Sequence, residues 1–289
     1  MQEFQLNTSP FVFQISTNVP MVVENAKRIY KSHFLTEKDF RASVDYHLSL
    51  TYTGGIRRLT KSQVTFKCDD REPFKPLPAN QAFAMLEWGM NWTVALHEFQ
   101  HVIIHSAVLA KDGKAILFPA PPGSGKSTLT AYLANHGWRL LSDEMALITP
   151  YELNVTPFVR AICLKNASIN LCKQWFPDLA YSDTAFATHK GDVAHMAPSD
   201  NSLACAREQA RVVGVVFPNY DKSLFLDIYE LDKANAFMQF ANNAFNFNLL
   251  GTLGFDTATA LIENAFLYEI HYNNVEEVER FLSERITNT

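Results

Sequence analysis

The chain has 289 residues, of which 47% are hydrophobic and 12% aromatic, so it can bury one large core or two modest ones and is not a disordered chain. Its formal net charge of -5 and the absence of a Lys/Arg-rich run argue against bulk binding of nucleic acid. Its four cysteines lie far apart without a C-x-x-C pair, which favours free thiols in a reducing cytoplasm. The sequence predicts neither a signal peptide nor a membrane-spanning segment.

The N-terminal part of the chain is predicted to contain strands and one short helix. Alternating apolar residues predict strands at 11–15 and 44–52. A short helix is predicted between them, at 23–34. A group of prolines then disfavours helix and predicts an extended connector: Pro73, Pro76 and Pro78. We therefore separate a smaller α+β region, residues 1–78, from a larger domain, residues 79–289.

The larger domain alternates strands and helices, which predicts an α/β fold. Its first helix is predicted to be capped by Asn80 and to reach about Leu96. The predicted strands lie at 101–109, 115–118, 138–141, 160–164, 212–217, 224–230 and 266–272. The later predicted helices lie at 128–136, about 232–248, 256–265 and from Val275, with Asn274 as its cap.

A glycine-rich loop, residues 120–127, reads Ala-Pro-Pro-Gly-Ser-Gly-Lys-Ser and fits the relaxed phosphate-binding motif A/G-x-x-x-x-G-K-S/T. A predicted strand precedes it and a predicted helix follows it, and this context predicts binding of a nucleoside triphosphate. Lys126 would reach the phosphates and the Ser127 hydroxyl would bind Mg²⁺. The residues predicted to contact the nucleotide are Pro122, Gly123, Ser124, Gly125, Lys126, Ser127 and Thr128.

An acidic pair, Asp143-Glu144, follows the next predicted strand, and only one helix separates it from the loop. At the strand's end Asp143 would face the phosphates. Two roles stay open for it: holding Mg²⁺, with Glu144 beside it, or accepting a proton from an incoming hydroxyl.

The pentapeptide His97-Glu-Phe-Gln-His101 spells the zinc-protease signature H-E-x-x-H. No third ligand stands at the required spacing, and the predicted helix ends near this point. Two histidines four residues apart share one face only within a helix, so we do not expect a zinc site.

The order of these motifs resembles HPr kinase/phosphorylase. The shared features are His105, the glycine-rich loop, the following Gly137-Trp-Arg-Leu and the pair at Asp143. The type A branch of HPr kinase-related proteins is more similar still, through segments spread over most of the chain: 86–92, 140–144, 164–168, 190–195, 216–218 and 245–251.

The resemblance implies a P-loop kinase core of the HPr kinase/phosphoenolpyruvate carboxykinase type, using ATP and Mg²⁺ to phosphorylate a serine or threonine of a small protein or peptide. It implies that Lys126 binds phosphate, that Asp143 is the base and that His105 lines the phosphate site. It also suggests a small PqqD-like protein as partner, and self-association into a homo-oligomer.

The sequence departs from the HPr kinase pattern in the segment that carries its second metal carboxylate. The counterpart here keeps Arg160 but has Phe158 where that carboxylate stands. Candidates for contacts with phosphate or the acceptor are therefore Arg160, Lys165 and Lys190. The sequence predicts a cytoplasmic ATP-dependent kinase; a small-molecule kinase and a nucleotide-switched ATPase without phosphotransfer remain alternatives.

Overall fold

The computed structural model describes residues 1–54 and 62–288, which divide into two units. The first unit contains residues 1–97 and 160–198, and the second contains residues 98–159 and 199–289. Both units combine helices with sheets of mixed strand direction, so the predicted α/β class is confirmed. Residues 79–97 and 160–198, which we assigned from sequence to the larger domain, belong to the first unit.

The first unit is built on a sheet in which Phe11–Thr17 pairs with Tyr46–Tyr52 in parallel and the other neighbours are antiparallel. In spatial order its strands are β3 (Phe34–Leu35), β1 (Gln2–Thr8), β2 (Phe11–Thr17), β4 (Tyr46–Tyr52), β5 (Gln63–Cys68) and β6 (Leu77–Pro78). Alternate residues of β2 are buried, which is the pattern of a strand with one face on a core.

Helices and a smaller sheet complete the first unit. The helices are α1 (Pro20–Tyr30), α2 (Ala82–His97) and α4 (Ala167–Trp175). The smaller sheet has the order β13 (Ile162–Lys165), β15 (Gly191–Met196) and β14 (Ala185–Thr188). Gly89 lets α2 approach β5 closely, because a Cβ at this position would lie 2.2 Å from the Phe66 ring.

The second unit contains one large mixed sheet. Its strands are β7 (Val102–Ile104), β8 (Ser106–Lys111), β9 (Lys114–Pro119), β10 (Arg139–Ser142), β11 (Ala146–Ile148), β12 (Asn154–Thr156), β16 (Ala210–Tyr220), β17 (Asp227–Glu230) and β18 (Phe266–Tyr272). Its helices are α3 (Lys126–Ala134), α5 (Asp200–Ala204), α6 (Lys233–Asn242), α7 (Phe247–Leu250), α8 (Thr252–Asn264) and α9 (Val275–Thr287).

Strand direction brings four chain segments to one edge of the second unit's sheet. β9, β16 and β18 are parallel neighbours. β10 is antiparallel to β8, which is itself antiparallel to β9, so β10 runs in the same direction as β9. The residues that follow β9 and β10 therefore meet the C-terminal residues of β16 and β18 at the same edge, where open α/β sheets commonly bind ligands.

Two predicted elements are interrupted, and both interruptions have one cause. The predicted strand 101–109 is two strands separated by His105, and the predicted helix 232–248 is two helices separated by residues 243–246. The backbone of residues 243–245 pairs with residues 103–105: the His105 N–H donates to the Asn243 carbonyl at 2.7 Å, and the Phe245 N–H donates to the Ile103 carbonyl at 2.9 Å. This contact between distant segments breaks both regular elements.

No helix within residues 1–54 and 62–288 has both the length and the apolar character needed to cross a bilayer.

Candidate functional site

The glycine-rich loop joins the end of β9 to the start of α3. Gly125 precedes the helix with φ of 85°, and Gly123 has φ of 94°. Only glycine adopts such left-handed conformations without steric cost, so the motif's glycines are required by the backbone path. The N-terminus of α3, where a helix presents backbone N–H groups and a partial positive charge, follows directly.

Two tyrosines at the ends of parallel strands hold this loop. A Cβ on Gly125 would lie 2.7 Å from Tyr220 Cβ and 2.8 Å from the Tyr272 hydroxyl. The Tyr220 N–H donates to the Ser124 carbonyl at 3.0 Å, and the Tyr272 hydroxyl donates to the Gly125 carbonyl at 3.4 Å. Burial, with the neighbouring Tyr220, raises the pKa of Tyr272, which keeps the hydroxyl protonated and able to donate. Sequence reasoning did not find these residues.

Lys126 and His105 are brought together, as the sequence predicted for a common site. Lys126 is buried, and its Nζ lies 3.1 Å from His105 Nε2. An ammonium group can only donate, so a charged Lys126 in this contact requires His105 Nε2 to be the acceptor. The His105 ring also packs against Phe245, with centroids 5.8 Å apart.

Ser127 and Asp143 also come together. The Ser127 hydroxyl donates to Asp143 Oδ2 at 3.3 Å. Asp143 follows β10 directly and is 4% exposed, whereas Glu144 beside it is partly exposed. A hydroxyl next to a carboxylate is a pair of oxygen ligands suited to Mg²⁺, which usually takes few protein ligands and completes its shell with water and substrate phosphates.

The other loop residues differ in burial. Pro122 and Gly123 are exposed, and Thr128 is partly exposed. Ser124 is buried, and within the described part of the chain its Oγ has no hydrogen-bond partner. A buried hydroxyl without a partner is unfavourable, so this atom fits a place where a ligand or water supplies the missing bond.

Asn246 positions the segment before His105, and sequence reasoning missed it. It is 1% exposed; its Oδ1 accepts from the Ile103 N–H at 2.9 Å, and its Nδ2 donates to the His101 carbonyl at 2.9 Å. An asparagine in a polar stretch usually indicates a turn, so nothing local marks this role.

The basic candidates Arg160, Lys165 and Lys190 belong to the first unit. Arg160 is buried, and its guanidinium donates to Glu87 Oε2 at 2.7 Å and to Asn91 Oδ1 at 2.6 Å. Lys165 ends β13 and is partly exposed, and Lys190 is exposed in the turn between β14 and β15. Arg160 thus has a structural partner in α2, whereas Lys165 and Lys190 are solvent-accessible.

The H-E-x-x-H pentapeptide is not helical throughout, because α2 ends at His97. Glu98 accepts from the His101 N–H at 3.1 Å and contacts His101 Nδ1 at 3.2 Å, while His101 Nε2 lies 3.2 Å from Thr156 Oγ1. These bonds close a turn after the helix. Among residues 1–54 and 62–288, side chains of His, Cys, Asp and Glu do not form a group of three or more able to hold a metal ion.

A lysine, a histidine, a serine and an aspartate therefore lie around the glycine-rich loop at the carboxyl-end edge of the second unit's sheet. No model of a known protein family matches this chain, and no curated protein is significantly similar to it in sequence.

Proposed function

We propose that this protein is an ATP-dependent kinase with a P-loop core of the HPr kinase type, which transfers the γ-phosphate to a serine or threonine hydroxyl of a small protein or peptide. The observation that carries the proposal is the convergence of Lys126, Ser127 and Asp143 beside a loop whose two glycines have positive φ. Loop, lysine, hydroxyl and carboxylate are the parts that phosphoryl transfer requires.

The loop and its lysine bind the triphosphate in this proposal. Backbone N–H groups of the loop and the partial positive charge at the N-terminus of α3 would favour the negative charge of the phosphates. Lys126 leaves His105 to contact the phosphates, and Ser124 Oγ gains the partner that it lacks among the described residues. The two tyrosines fix the loop in this shape before the nucleotide arrives, so that little ordering remains to be done on binding.

Ser127 and Asp143 would hold Mg²⁺, which neutralises charge on the phosphates when it is bound. Asp143 also accepts the proton of the acceptor hydroxyl. Its carboxylate is buried beside the loop, and a base can act only within hydrogen-bond reach of the proton that it takes. His105, whose Nε2 lies 3.1 Å from Lys126 Nζ, positions the lysine between turnovers.

A protein or peptide acceptor is favoured by the order of motifs that resembles the HPr kinase-related proteins. The same resemblance supports a small PqqD-like protein as the partner and a homo-oligomer as the active form. A small-molecule kinase would use the same loop and carboxylate. The two kinds of kinase are therefore distinguished by identifying the molecule that receives the phosphate.

The test combines nucleotide binding with single-turnover transfer from labelled ATP·Mg²⁺ to candidate serine-containing peptides and small proteins. Lys126→Ala is expected to weaken ATP binding and to abolish transfer. Asp143→Asn should bind ATP but lose about 10²–10⁴-fold in transfer rate, which is the usual contribution of a general base. Glu144→Gln, the matched control one residue away, should keep most of the activity, because Glu144 is partly exposed whereas Asp143 is buried.

Three results would contradict the proposal in different ways. Equal ATP binding by wild type and Lys126→Ala would show that the loop is not the nucleotide site. Release of free phosphate without a labelled acceptor, with the larger loss in Glu144→Gln, would indicate a nucleotide-switched ATPase. Label found only on a metabolite would indicate a small-molecule kinase.

A further inference from the structure

The first unit contains a cavity of about 440 Å³ that the proposed kinase chemistry does not use. It is lined by residues of three segments: the connector before β6, helix α2, and the turn between β14 and β15. Its size falls in the range of cavities that bind small molecules.

Aromatic side chains form the cavity's walls. Trp88 and Trp92 lie one helical turn apart on α2 and both line the cavity, and the Phe74 ring meets Trp92 edge-on with centroids 6.2 Å apart. The His189 ring packs against Trp88 in the same way at 4.9 Å. The three rings are partly exposed, so part of their apolar surface is available to an aromatic molecule.

Basic side chains surround the cavity's mouth. Lys75, His189 and Lys190 are exposed and line it, and Lys190 Nζ lies 5.3 Å from the centre of the Trp88 ring. In the described ranges, neither lysine is within salt-bridge distance of a carboxylate. Burial lowers the pKa of His189, and the positive charges of Lys190 and Lys165 lower it further. The two lysines therefore supply the positive charge at the mouth, in a chain whose net charge is -5.

We propose that this cavity binds a small planar aromatic molecule carrying one anionic group. The rings of Trp88, Trp92 and Phe74 take the aromatic body, and the ammonium groups of Lys75 and Lys190 take the anion. A neutral aromatic molecule leaves the two lysines without a counter-charge. An inorganic anion leaves the aromatic walls in water, so the two features together select for both parts of the ligand.

Calorimetry on the full chain tests this with three probes: 2-naphthoate, its neutral analogue 2-naphthamide, and inorganic phosphate. We expect 2-naphthoate to bind one per chain and more tightly than 2-naphthamide. The double variant Lys75→Ala/Lys190→Ala should weaken naphthoate binding about tenfold or more, the usual effect of losing a charge-assisted contact. Lys38→Ala is the control, because Lys38 is an exposed lysine of the same unit that does not line the cavity.

Three outcomes would overturn the proposal. Naphthamide binding as tightly as naphthoate would reduce the site to an apolar cavity. Displacement of naphthoate by equal concentrations of phosphate would reduce it to a basic patch. If naphthoate does not bind at millimolar concentration, or binds the double variant as tightly as the wild type, the proposed contact between the lysines and the anion is wrong. None of these results depends on ATP, so they are independent of the proposed kinase activity.

Discussion

At the scale of the residue, the glycine-rich loop depends on a close approach that only hydrogen permits at Gly125. The residue combines a left-handed backbone with contacts to two tyrosines, and the tyrosines in turn anchor the loop by hydrogen bonds to its carbonyls. A side chain at this position would therefore cause both backbone strain and a steric clash with the tyrosines. Gly113, in the turn between β8 and β9, has a similar φ of 75°, but a Cβ at that position would meet no heavy atom within 4 Å.

This difference makes Gly113→Ala a matched control for Gly125→Ala. Alanine at φ near 75° costs about 1–2 kcal/mol of backbone strain wherever it stands. Gly113→Ala should therefore lower the free energy of unfolding by about that amount and leave ATP binding unchanged. Gly125→Ala should lose more stability, because Tyr220 and Tyr272 must also move, and it should lose ATP binding. Urea unfolding and calorimetry measure the two effects; equal behaviour of the two variants would contradict the role of the tyrosines.

The motif residues could be predicted from the sequence because their relation is local. Lys126 and Ser127 follow the glycines on the same turn, and Asp143 is one helix and one strand away. In the structure Lys126 contacts His105 and Ser127 contacts Asp143. Tyr220 and Tyr272 could not be predicted, because the parallel pairing that brings them to the loop joins segments far apart in the chain.

At the scale of the element, α2 is anchored by a buried polar network. The Glu87 carboxylate accepts from the Tyr30 hydroxyl at 2.7 Å and from the Arg160 guanidinium at 2.7 Å, and both acidic and basic side chains are almost fully buried. Burial and the nearby Glu87 raise the pKa of Tyr30 well above its usual range, so the phenol stays a donor. The network joins α1, α2 and the segment that precedes β13.

Breaking this network should cost far more than breaking an exposed ion pair. Arg160→Met leaves the Glu87 charge buried without its counter-ion and should lower the free energy of unfolding by about 3–5 kcal/mol. The triple variant Tyr30→Phe/Glu87→Leu/Arg160→Met removes every charged partner and should recover most of that loss. Arg28→Met, which breaks the half-exposed pair with Asp183, is the control and should cost under about 1 kcal/mol.

Urea unfolding of these variants gives the comparison directly. If Arg160→Met and Arg28→Met lose similar stability, the buried network does not anchor α2. If the triple variant is no better than Arg160→Met, the loss arises from packing of the arginine stem rather than from the uncompensated charge.

Elements defined by local signals were predictable. Strand 266–272 and the start of α9 at Val275 are confirmed, and Asn274 caps that helix by accepting from the Glu276 N–H at 2.9 Å. A capping side chain and an alternating pattern lie within a few residues of each other. The breaks at His105 and at residues 243–246 were missed because each is caused by backbone pairing with the other segment.

At the scale of the whole molecule, the chain passes from the first unit to the second and back before it ends in the second. Prolines and composition indicate where an extended connector lies, but they do not indicate to which sheet a later helix or strand returns. Helix α2 follows the predicted boundary at residue 78, yet it packs on β5 and α1 of the preceding segment. Sheet order is decided by burial between distant segments, which one sequence does not report.

A fragment of residues 79–289 tests the predicted boundary. It would keep α2 but lose α1 and β5, which pack against it, including the Phe66 ring next to Gly89, and so expose apolar side chains of the first unit's core. We expect the fragment to bind a hydrophobic dye and to melt without a cooperative transition, since burial of each such side chain contributes about 1.5–3 kcal/mol. Co-expression of residues 1–78 as a separate chain should restore cooperative melting. A fragment that melts like the full chain and binds ATP equally well would instead establish residues 79–289 as an independent domain.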